Sequence, residues 1–175
     1  MVAGWIHVRT TVFARPVRPE EQPTADSPTV PVSQLQSTGM GVEMCKTIKQ
    51  RVKFNAPPAV IYDLLADSKK HSAVTGKRAT ISRKIGGAFS ASGNEVSGIN
   101  VDLVPGQRIV QAWRHRQFPE GIFSMAAVTL TPTADGGTEL VLTHRGVPKD
   151  LIPETELSWR EQYWSRIKAF LAHAG

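Results

Sequence analysis

The chain has 175 residues, an ordinary hydrophobic fraction of 41 % and a formal net charge of +6. That length suits one domain with a real core and is short for two. The single cysteine, Cys45, excludes an intrachain disulfide and fits a reducing compartment. No stretch approaches the ~20 apolar residues of a membrane span, and the positive charges form no nucleic-acid motif. The expectation is a cytoplasmic protein that engages neither membrane nor nucleic acid.

Residues 1–44 begin MVAGWIHVRTTVFARPV and run on through a segment dominated by proline, serine and threonine. Arg9, Arg15 and Arg18, with no acid before Glu20, give a faint likeness to an organelle-targeting leader. The favoured reading is a disordered extension or linker, since no apolar period is present. A folded domain is expected over 45–175.

That domain opens with an alternating strand over 47–54, with Ile48, Val52 and Phe54 on one face and Lys49, Arg51 and Lys53 on the other. Asn55 is the expected cap of a short helix carrying Val60, Ile61, Leu64 and Leu65; Asp67 caps a second, which Gly76 stops. Strands follow over 78–84, 88–91, 95–103, 107–116, 122–131 and 138–145. Short turns separate most of them: Gly86-Gly87, Gly93-Asn94, Pro105-Gly106 and Asp135-Gly136-Gly137. Glu154 to His173 closes the chain as a long helix. At about 100° per residue, Leu157, Trp159, Tyr163, Trp164, Ile167, Phe170 and Leu171 share one side, with Arg160 inside the same arc.

The order strand, two helices, six strands, long helix makes an α+β domain. An antiparallel meander of six or seven strands turns its apolar face toward the terminal helix. Alternation then names an interior: Gln111, Trp113 and His115 on one strand, Ser124 on the next, His144 on the last, and Trp159, Arg160 and Tyr163 from the helix. A mainly apolar and aromatic lining with a few polar groups is the composition of a small-molecule pocket. These eight residues are the candidate ligand-binding set. An amphipathic ligand is expected, its acidic head near Arg160 and its body against Trp113. No metal or cofactor is expected. His115 and His144 lack a supporting carboxylate or cysteine at ligand spacing, and no nucleophile elbow or phosphate loop is present. The cluster Lys77, Arg78, Arg83 and Lys84 reads as a solvated strand face or as a docking patch for an acidic protein.

Several segments carry a resemblance: FNAPPAVIYDLL at 54–65, IGGAFS at 85–90, GNEVSGINVDLVPGQRIVQAWR at 93–114, FPEGIFS at 118–124 and TLTPTADGGTELVLTHRGVP at 129–148. With the tail of Thr155, Trp159, Tyr163-Trp164 and Ile167-Lys168, this series resembles the activators of the 90-kDa heat-shock-protein ATPase. The matching part is their C-terminal module, within the helix-grip (START-like, SRPBCC) superfamily. The resemblance implies a curved antiparallel sheet wrapped on the C-terminal helix, with two short helices after the first strand. It also implies a link to stress response and a chaperone partner. The eukaryotic co-chaperones carry a further N-terminal domain that grips the chaperone, which residues 1–44 are too short to replace. The first expectation is therefore non-enzymatic binding of a hydrophobic or amphipathic small molecule between sheet and helix. The alternatives are co-chaperone-like binding and ATPase activation of the 90-kDa chaperone, or a polyketide cyclase-like enzyme using His115 or His144 as base.

Overall fold

The computed structural model describes residues 45–173; the expected N-terminal extension lies outside them. The elements, in chain order, are β1 (Cys45–Phe54), α1 (Pro58–Ala66), α2 (Ser68–Thr75), β2 (Thr80–Ile81), β3 (Ala88–Ala91), β4 (Val96–Val104), β5 (Arg108–His115), β6 (Ser124–Pro132) and β7 (Thr138–Pro148). A short 3₁₀ turn, Lys149–Leu151, leads into the terminal helix. That helix consists of α3 (Ile152–Ser158), a π-helical turn (Trp159–Trp164) and α4 (Ser165–His173).

All seven strands form one antiparallel sheet in the order β1-β7-β6-β5-β4-β3-β2. The meander thus closes by laying β1 beside β7, where Ile48 faces His144 and Val52 faces Leu140. Period-two alternation puts Ile48, Phe54, Ile109, Trp113, Ala126, Val128, Leu130, Leu140 and Leu142 on the inner face, where all are buried. Fully burying each large apolar side chain contributes roughly 1.5–3 kcal/mol. The terminal helix lies against this face with Trp159, Tyr163, Trp164 and Ile167 buried.

Three expectations need correction. Asn55 is not the cap of α1. Pro57 takes that position with no side-chain bond, and its carbonyl accepts from Val60 and Ile61 at 3.0 and 3.3 Å. The strand expected over 78–84 pairs only at Thr80–Ile81. Its other polar groups are taken elsewhere: Ser72 and Ser68 of α2 accept from the amides of Ala79 and Ile81, and the Asn100 amide donates to the Ser82 carbonyl at 2.6 Å.

The third correction concerns the helix. Its buried residues do not follow one 100° stripe. Leu157 is 54 % exposed, Phe170 and Arg160 are exposed, and Thr155 is buried instead. The cause is the π turn. Its i→i+5 bonding accommodates more residues per turn than α-helix, so positions before and after it are out of phase. Thr155, Trp159, Tyr163 and Ile167, each four apart, all reach the sheet. Asp67 behaves as expected: its Oδ1 accepts from the amides of Lys69 and Lys70 at 3.0 Å. Gly76 ends α2 at φ 66°.

Candidate functional site

Four of the eight candidate residues meet in one buried cluster. Trp113 and Ser124 are register partners on β5 and β6, His144 stands on β7, and Trp159 descends from the helix. The Trp159 indole Nε1–H donates to His144 Nδ1 at 3.0 Å. That bond makes Nδ1 the lone-pair nitrogen, so the neutral ring carries its proton on Nε2; the tautomer is thus assigned from the hydrogen-bond network. Nε2–H then donates to Ser124 Oγ at 2.7 Å, and Ser124 donates to the Trp113 carbonyl at 3.0 Å. Every donor and acceptor in this chain is used. Burial pushes the His144 pKa down to about 4.

The Ser124–His144 pair therefore does not form a nucleophile and its base. The serine proton is directed at a carbonyl, and the histidine lone pair is held by an indole. The cluster is structural, and aromatic contacts extend it. Trp113 meets the His144 ring edge-on at 4.9 Å, and Trp159 stacks on Trp164 at 5.3 Å.

The remaining candidates diverge. Gln111 is half-buried and donates to Asn100 Oδ1 at 2.9 Å. Tyr163 is buried, which raises its pKa against a hydrogen bond from Ser92. His115 is half-buried at the mouth and stacks on Trp113 at 6.2 Å. Arg160 points to solvent, so the anionic headgroup expected beside it has no partner there.

The space between sheet and helix is small. A cavity of about 30 Å³ remains, bordered by His71, Gln111, Phe89, Trp159 and Tyr163. That is room for about one water, against the ~300–1,000 Å³ of an ordinary ligand pocket. The aromatic side chains expected to line a pocket fill it instead. His71 on α2, which the periodicity of that helix did not single out, is buried with both ring nitrogens lacking hydrogen-bond partners. Burial lowers its pKa, and the nearby backbone of Leu64 and Leu65, outside good hydrogen-bond geometry, pulls the other way.

A larger hollow lies outside, where the helix start meets the ends of β4 and β5. It measures about 340 Å³ and is bordered by Trp113, His115, Leu151, Leu157, Glu154 and Glu161 among others. Leu157 faces it because of the phase shift described above. Among the described residues, no group of three or more His, Cys, Asp and Glu is placed to hold a metal. None of the described helices is long and apolar enough to cross a membrane.

A curved antiparallel sheet sealed by its terminal helix defines a helix-grip domain. The chain belongs to the family of Activator of Hsp90 ATPase homolog 1-like proteins, whose model matches residues 55–172. It is 34 % identical over 138 residues to the human Activator of 90 kDa heat shock protein ATPase homolog 1, covering 78 % of this chain and 40 % of that one. It is 32 % identical over 123 residues to the Dictyostelium discoideum homologue, covering 70 % of this chain and 32 % of that one. The chain thus spans about a third to two fifths of the length of these relatives. A crystallised HSP90 activator from Plasmodium falciparum has the same fold, with TM-score 0.67, 22 % identity, and coverage of 74 % of this chain and 96 % of that one.

Proposed function

We propose that residues 45–175 form a cytoplasmic chaperone-binding module that docks on the 90-kDa heat-shock chaperone and raises its ATPase rate. The observation that carries this reading is the family match across 55–172. The packed interior supports it: the cavity bordered by His71, Trp159 and Tyr163 holds about one water, far below the volume of an ordinary ligand. The test uses the full chain in a pull-down and an ATPase assay with the purified chaperone. Stimulated turnover with saturable binding is expected. No binding at roughly tens of micromolar, a weak-complex affinity, sinks the reading.

A second reading keeps a small molecule but moves it. The 340 Å³ hollow falls within the range of ligand pockets. Its exposed Leu157 and the Trp113–His115 stack offer an apolar floor; Lys77 and Glu95 on its border pair with each other at 3.4 Å, which leaves Glu154 and Glu161 as an acidic rim. This supports a cationic amphiphile in place of the anionic one expected around Arg160. Native mass spectrometry of freshly purified protein tests it. A uniformly ligand-free mass, unchanged by added hydrophobic amines, refutes it.

A further inference from the structure

The outer face of the sheet carries an apolar band that the fold does not use. Strand register sets Ile99, Ala112 and Met125 side by side on β4, β5 and β6. Ile99 is 48 % exposed and Met125 39 %, with Val101 beside them at 45 %. Scattered exposed apolar residues need no explanation, whereas a contiguous group on one face does. Alanine at the centre leaves a trough between two larger side chains about 10 Å apart, two strand spacings.

The charges around the band are mostly positive. Lys49, Arg51, Lys53, Arg108 and Arg145 stand on this face against Asp102 and Glu139. The two carboxylates are already engaged, Asp102 by Arg108 at 2.6 Å and Glu139 by Arg51 at 2.7 Å. Lys49 and Arg145 flank the band with no ion-pair partner among the described residues. In the basic cluster read from the sequence, Lys77 and Arg83 are tied up by Glu95 and Asp63 at 3.4 and 2.9 Å, while Arg78 and Lys84 have no ion-pair partner among the described residues.

We propose that this outer face, centred on Ile99 and Met125 and flanked by Lys49 and Arg145, is the docking surface for an acidic protein. The partner patch would be apolar at its centre with carboxylates on the side facing Lys49 and Arg145. The arrangement follows the anatomy of protein interfaces, an apolar centre with a charged rim that steers approach. The inference rests on the chaperone reading and assigns a surface to it. A neutral, apolar centre suits a protein better than the phosphate-dense backbone of a nucleic acid.

The test titrates four full-length proteins against the chaperone: wild type, Ile99→Glu/Met125→Glu, Lys49→Glu/Arg145→Glu, and Val60→Glu. Val60 is also exposed but lies on α1, which packs against the inner side of the sheet. Folding of each variant is checked by thermal unfolding. If the glutamates unfold the sheet, Ile99→Thr/Met125→Thr replaces them with residues that suit strands. The apolar pair should weaken binding about tenfold or more, the effect of losing central contacts. The charge pair should slow association and flatten its salt dependence. Val60→Glu should bind as wild type does. Wild-type binding with both outer-face pairs unaffected overturns this surface while leaving the chaperone reading standing. A wild type that does not bind overturns both. Tighter binding to duplex nucleic acid or anionic vesicles, lost in Lys49→Glu/Arg145→Glu, overturns the protein partner.

Discussion

Lowering the pH should loosen this domain through His144, and the size of the effect follows from its surroundings. The ring is fully buried, its pKa is about 4, and the unfolded value is 6.5. Between those values the unfolded chain binds the proton and the folded chain does not, so stability rises with pH across this window. The contribution is fully present above 6.5 and is lost as pH falls toward 4. The whole shift corresponds to about 3 kcal/mol, of which about 2 kcal/mol is gone by pH ~5. Buried His71, also lowered, adds to the loss with the same sign. Urea titrations at about pH 7.5 and about pH 5, read by tryptophan fluorescence, measure this directly. With an m-value of about 1.5 kcal/mol/M, the midpoint should drop by at least about 1.3 M. His144→Leu will be less stable at both pH values, because it orphans the Trp159 indole and Ser124. Its midpoint should nevertheless move less between them. Equal wild-type midpoints, an unchanged pH slope in His144→Leu, or an NMR titration of this ring near 6.5 would refute the assigned network.

Other substitutions probe separate parts of the fold. His71→Leu removes two buried nitrogens without partners and should raise unfolding free energy by about 1–2 kcal/mol; a loss of that size in urea titration contradicts the packing described. Gly98→Ala would set a methyl carbon 2.0 Å from the Ala112 carbonyl oxygen and 2.6 Å from the Phe89 ring. It should cost about 3 kcal/mol or more, seen as a lowered melting temperature. Asp67→Ala removes the acceptor for two α2 amides and should cost about 1 kcal/mol, with α2 amides losing hydrogen-exchange protection first.

The sheet was legible from residue order because its signal is local. Leu140, Leu142 and His144 alternate with Glu139, Val141 and Thr143, and Asp135-Gly136-Gly137 marks where the chain reverses. The same alternation correctly placed Trp113, Ser124 and His144 inside. What they do there was not legible, since the indole that fixes the His144 tautomer arrives from another element, 15 residues on. Cavity size was hidden for a related reason. It depends on how Trp159, Tyr163 and Gln111 share one volume, a three-dimensional property with no sequence pattern. Arg160 misled because an assumed 3.6-residue period was carried through a segment that does not keep it.

That widened turn between Trp159 and Trp164 has a consequence for any length change nearby. Excising one residue there would let the rod wind evenly at about 100° per residue, and the seven steps then left between Trp159 and Ile167 would make about 700°, close to two full turns. Ile167 would therefore keep its slot against the strands. A one-codon deletion in this stretch should therefore harm the protein less than the loss of one residue within β6, where every following side chain would change face.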